Sequence, residues 1–150
     1  MSSGKFRLWG DGKFLLSPAG KFAVHSDCCC GGEGPCENCS GNQPNVAMTG
    51  TGSGDCSPDA SIAFNSFTEN VGGTNCLWSW GNWGDGNWFA DVRYYRVTEV
   101  WNVAVTNGDA ETTFINADAD LSCTDGDITG TAVCTGDLTC PGDTVTITFG

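Results

Sequence analysis

Positive charge is scarce in this chain: 6 Lys and Arg stand against 18 Asp and Glu in 150 residues, a formal charge of -12. Such a balance repels phosphate backbones, so outside the first 27 residues the counterion-release term that drives nucleic-acid binding has almost nothing to work with, and no nucleic-acid partner is expected. Histidine is scarcer still. His25 is the only one, so any Ser-His-Asp or Cys-His site would have to use it, and no second motif accompanies it. Neither a Gly-rich phosphate loop opening a helix nor an HExxH pair occurs, and no spacing sets two carboxylates on facing strands. The chain therefore reads as a non-enzyme. No apolar run approaches transmembrane length, which excludes a membrane span. The start Met1-Ser2-Ser3-Gly4 leads straight to Lys5-Phe6-Arg7-Leu8-Trp9, without the roughly 7–15 apolar residues of a secretory signal. Good helix formers are few, which argues against a helical bundle.

What is abundant is glycine, with 22 residues, and cysteine, with 10. Cysteine at about 7% is close to the density of a disulfide scaffold, which belongs outside the reducing cytosol. The missing leader and the cysteine count conflict. Three origins reconcile them: a mature fragment with an added Met1, a cytosolic metal-binding protein, or a viral structural protein made in the cytoplasm and oxidised after lysis.

Three units in register open the chain: Gly4-Lys5-Phe6-Arg7-Leu8-Trp9-Gly10-Asp11, Gly12-Lys13-Phe14-Leu15-Leu16-Ser17-Pro18-Ala19 and Gly20-Lys21-Phe22-Ala23-Val24-His25-Ser26-Asp27. Each predicts a strand of about five residues and a tight turn, giving a three-stranded meander too small to be stable alone. It needs a partner surface, which makes Lys5, Phe6, Trp9, Lys13, Phe14, Lys21 and Phe22 the candidate assembly residues. Four cations against two acids leave residues 1–27 at net +2, so residues 28–150 carry -14. A basic arm and an acidic body attract each other between subunits as readily as within one.

Residues 28–59, rich in Gly, Pro, Cys and Asn, predict an irregular stapled linker. From residue 60 onward, alternation takes over in Ile62-Phe64, Leu77 to Trp80, Trp88 to Val97, Trp101 to Val105, Phe114-Ile115, Ile128 and the closing Thr144 to Phe149. Turns are expected at Asn107-Gly108-Asp109, Asp125-Gly126-Asp127 and Gly142-Asp143. The fold class is all-β. Residues 1–27 form the basic repeat arm, 28–59 the linker, and 60–150 an acidic antiparallel β-sandwich or jelly-roll body.

All ten cysteines, Cys28, Cys29, Cys30, Cys36, Cys39, Cys56, Cys76, Cys123, Cys134 and Cys140, are disulfide candidates. Adjacent cysteines bridge each other poorly, so the Cys28-Cys29-Cys30 triplet needs separate partners. Cys36 and Cys39 can supply two, and the odd one must reach the body, another subunit or nothing; one link to the body leaves even numbers on both sides. The competing reading is structural zinc held by Cys28, Cys30, Cys36 and Cys39. Asn116, Asp118, Asp120, Asp125 and Asp127 offer oxygen ligands for calcium, but without EF-hand spacing, so solvated turns are expected. Four of six Trp crowd into residues 77–89; alternate ones read as core, and Trp83, at a hairpin tip, as the candidate for stacking a sugar ring.

The Gly-Lys-Phe arm, its Ser17-Pro18-Ala19-Gly20 turn, the abrupt Asp27-Cys28-Cys29-Cys30 and the closing Val145-Thr146-Ile147-Thr148-Phe149 resemble small proteins encoded by tailed phages and their prophages. The resemblance implies a virion structural component of decoration, cement or fibre type, made in the host cytoplasm and released by lysis. Its implied partners are other copies of itself, as a trimer, and a major capsid or tail protein. Two alternatives accompany it: a secreted carbohydrate-binding module using Trp83, and a self-polymerising extracellular fibre with the arm as donor strand.

Overall fold

The structure is a computed structural model, described here for residues 34–70, 73–81 and 87–150. The repeat arm of residues 1–27, His25, the Cys28-Cys29-Cys30 triplet and Trp83 lie outside the described residues.

Among the described residues nine strands, one turn of α-helix and one 3-10 turn follow in chain order: α1 (Pro35–Asn38), β1 (Val46–Gly50), the 3-10 turn (Gly54–Cys56), β2 (Asp59–Glu69), β3 (Asn75–Gly81), β4 (Trp88–Tyr95), β5 (Val100–Asn107), β6 (Thr112–Ala119), β7 (Leu121–Thr124), β8 (Asp127–Gly136) and β9 (Thr144–Phe149). Every pairing is antiparallel, as expected. The strands form one sheet in the order β6-β5-β4-β3-β2-β1-β9-β8-β7, and an added β6–β8 pairing closes eight of them into a barrel. An antiparallel β-sandwich or jelly roll was expected; the antiparallel all-β class is borne out, and β1 to β6 pair in chain order before the sheet returns through β9 and β8 to β6, so that each of those eight strands has a neighbour on both sides.

β6 and β7 share one edge of β8. β7 pairs with its first half, Leu121 to Thr124 against Gly130 to Asp127, while β6 reaches it only through Phe114↔Gly136 and Ile115↔Thr135. Side chains complete this short seam. Asn116 Nδ2 donates to the Val133 carbonyl at 3.1 Å, and the Asp137 carboxylate accepts from Thr113 N–H at 3.1 Å and Thr139 N–H at 2.8 Å. Those N–H donors, Thr139's first, hold the Asp137 carboxyl below its ordinary range.

Alternation is clearest in β5, where Trp101, Val103, Val105 and Asn107 point inward and Asn102, Ala104 and Thr106 outward. A register shift between Phe64 and Ser66 resets the period in β2. Phe67 therefore faces inward again, with its ring 5.3 Å from Trp78, while Phe64 meets Trp80 edge-on at 5.4 Å. Trp78, Trp80, Trp88 and Trp101 are all buried, so alternate Trp in the aromatic cluster are core, as expected. Asp125 and Gly126, both at positive φ, make the two-residue turn joining β7 to β8.

The expected irregular linker is only partly irregular. Val46-Ala47-Met48-Thr49 alternates buried and exposed and forms β1, which pairs with both β2 and β9. Its four-residue signal is short, and the Gly, Pro and Cys on either side obscured it.

Candidate functional site

Two features of the barrel carry chemistry: a cap over one end, and a depression on the outer face beside it. The cap comprises α1 and residues 39–45. It reaches the barrel through Cys36–Cys76 and Cys39–Cys123, whose Cα atoms are 5.8 Å and 6.0 Å apart. Buried indoles complete the attachment. Trp78 Nε1 donates to the Cys39 carbonyl at 2.6 Å, and Trp80 Nε1 to the Pro44 carbonyl at 2.9 Å. An interior indole N–H needs an acceptor, and the cap backbone supplies both.

Gln43 fixes the cap to the β7–β8 turn. Its amide donates to the Cys39 carbonyl at 2.9 Å and the Gly126 carbonyl at 3.0 Å, and its oxygen accepts from Ile128 N–H at 2.7 Å. The side chain is 3% exposed, so losing it orphans buried groups. Gln43→Leu is expected to cost about 2–3 kcal/mol, read from urea unfolding with unchanged m. A loss below about 0.5 kcal/mol would show that water replaces the amide. Across the cap's edge, Arg96 joins Glu37 of α1 at 2.8 Å to Glu69 of β2 at 2.6 Å.

At the opposite end, Cys56–Cys140 ties the β1–β2 loop to the β8–β9 loop. The cysteine pattern thus departs from the sequence expectation. Cys36 and Cys39 pair with the body and not with the triplet, because α1 sets each against a barrel strand. Among the described residues two links join the cluster to the body, where one was expected. Cys134, a disulfide candidate, is a buried thiol on the inner face of β8, and burial pushes it up to about 11. Burial, then Glu99, likewise raises the Tyr94 hydroxyl.

The metal sites weighed as alternatives, zinc and calcium, do not assemble among the described residues. Cys36 and Cys39 have spent their sulfurs in disulfides, which removes half of the zinc set. Asp118, Asp120, Asp125 and Asp127 bring no three carboxylates together; the one three-group cluster is Cys56, Cys140 and Asp143, and its two sulfurs are bonded to each other. Asn116 is occupied in the seam, and its oxygen accepts the Asp118 N–H at 3.1 Å.

The depression lies on the outer face of β2, β3 and β4, with a volume of about 330 Å³, lined by Thr68, Asn70, Asn75, Leu77 and Arg93. Register creates it: Thr68, Leu77 and Arg93 stand side by side across the three strands, and Asn75 faces Tyr95 in the next row. No family model, curated protein or solved structure matches this chain. Its chemistry is therefore read from the side chains. Leu77 is a partly buried apolar floor; Asn75, Asn70 and Thr68 bring amide and hydroxyl groups; Arg93 brings a guanidinium, 3.5 Å from the Tyr95 hydroxyl. Sequence reasoning missed this group because its members are spread over 26 positions, from Thr68 to Arg93, and only pairing register collects them.

Proposed function

We propose that this chain is a non-enzymatic structural component of a phage particle, with the acidic barrel displayed to solvent and residues 4–27 as the segment that joins neighbouring copies or the shell. The observation that carries this reading is stapling at both ends of the barrel, by two bridges at the cap and one across the opposite loops. Disulfides persist under oxidising conditions, which fits a protein that works outside the cell. The barrel interior is filled by Trp, Phe and branched aliphatic side chains, which puts the emphasis on its outer surface. A net charge of -14 on residues 28–150 suits a solvent-facing body and a basic arm suits an acidic neighbour.

Deleting residues 1–27 is expected to abolish incorporation into particles while leaving the thermal transition of the barrel in place. Purified virions carrying the truncated chain at wild-type copy number would overturn the proposal.

A further inference from the structure

We propose that the depression between β2, β3 and β4 is a binding site for an acidic sugar, with Arg93 receiving the sugar carboxylate. The inference stands apart from the virion reading and needs only the described residues.

The argument begins with the supply of cations. Residues 28–150 contain two, Arg93 and Arg96. Arg96 is committed to Glu37 and Glu69. Arg93, on the exposed face of β4, has no carboxylate within 4.0 Å among the described residues. Asp91, two residues before it on the same face of β4, accepts from Oγ of Ser79, its cross-strand partner, at 2.6 Å. Glu69, at the end of β2, pairs with Arg96, which it shares with Glu37. Among the described residues the depression thus holds a guanidinium with no carboxylate partner, its Nη1 3.5 Å from the Tyr95 hydroxyl. More distant acids are screened over about 8 Å at physiological salt.

The other lining groups define the rest of the ligand. A guanidinium fork binds a carboxylate through two parallel N–H bonds. Asn75 and Thr68 flank it with amide and hydroxyl groups suited to sugar hydroxyls, and the Asn70 amide reaches Thr74 Oγ1 at 3.4 Å, which steadies the rim. Leu77, at the centre, offers an apolar floor to the C–H face of a ring. A small carboxylate without hydroxyls would leave the amides unused, and a neutral sugar would leave Arg93 unpaired.

The test uses the full oxidised chain and oligosaccharides ending in a uronic or sialic acid, each beside its methyl ester, followed by heteronuclear NMR of the Leu77 methyls and the Arg93 Nε–H. One shallow site predicts affinity of about millimolar strength. Binding of the free acid, at least about tenfold weaker binding of its ester, and a similar loss in Arg93→Met with partial recovery in Arg93→Lys are the expected results. Asn75→Ala should weaken binding several-fold without altering the unfolding transition, and rising salt should weaken it further. Equal binding of acid and ester, full binding by Arg93→Met, or no shift with any acidic sugar would each overturn the proposal. Since Arg93 is exposed, near-ultraviolet circular dichroism of the variants separates lost binding from lost fold.

Discussion

Replacing Cys39 and Cys123 together with alanine is expected to lower unfolding free energy by about 2–5 kcal/mol and the melting temperature by roughly 10–20 °C. The bridge spans 84 residues, for which the loop-entropy relation alone gives about 4.5 kcal/mol. Cys56–Cys140 also spans 84 residues and supplies an internal control. Loop entropy predicts equal losses for the two. The structure predicts a larger loss at Cys39, because the freed cap withdraws the carbonyls that accept the Trp78 and Trp80 indole N–H groups and the Gln43 amide. Calorimetry of both double variants decides between them, and equal losses would mean that the cap contributes no packing.

Trp78→Ala is expected to cost at least about 3–5 kcal/mol. Trp78 is fully buried, its ring centroid is 5.3 Å from Phe67 and 5.4 Å from Trp101, and its N–H holds the Cys39 carbonyl. Alanine removes ring packing and hydrogen bond together and leaves a cavity between β2, β3 and β5. Trp78→Phe keeps most of the volume and loses the N–H; its cost should be about 1–2 kcal/mol, because the Cys39 carbonyl still accepts from Gln43. Urea unfolding of both variants yields the division. An alanine variant within about 1 kcal/mol of wild type would place Trp78 outside the load carried by the core.

The Cys39 and Trp78 changes share a contact, so their effects should not add. A double-mutant cycle would report the coupling between cap and barrel. A coupling near zero would contradict the close contact between Trp78 Nε1 and the Cys39 carbonyl.

Much of the barrel was legible in the residues. Strict alternation in β5 and β9, the Asp125-Gly126 turn and the buried fate of alternate Trp all follow from a period of two and from the φ angles that Asp-Gly tolerates. β1 was not legible, because five residues among Gly, Pro and Cys carry too little pattern to distinguish a strand from a loop. Phe67 needed the bulge after Phe64 to face inward, and a bulge has no periodic signature.

The candidate site lay further from view. Thr68, Asn75, Leu77 and Arg93 share no motif, and a shift of one residue in any pairing would send a member to the interior. Disulfide connectivity was equally hidden, since spacing cannot show that α1 sets Cys36 against Cys76 and Cys39 against Cys123. By itself, the sequence determined an acidic, cysteine-rich, all-β chain, because charge, composition and alternation are properties of residues in order. Only the tertiary structure decided that the sheet closes into a ring, that the cysteine segment caps it, and that Arg93 stands without a carboxylate partner among the described residues. Those depend on pairing between residues far apart in the chain, which is set by register and burial and by no local pattern.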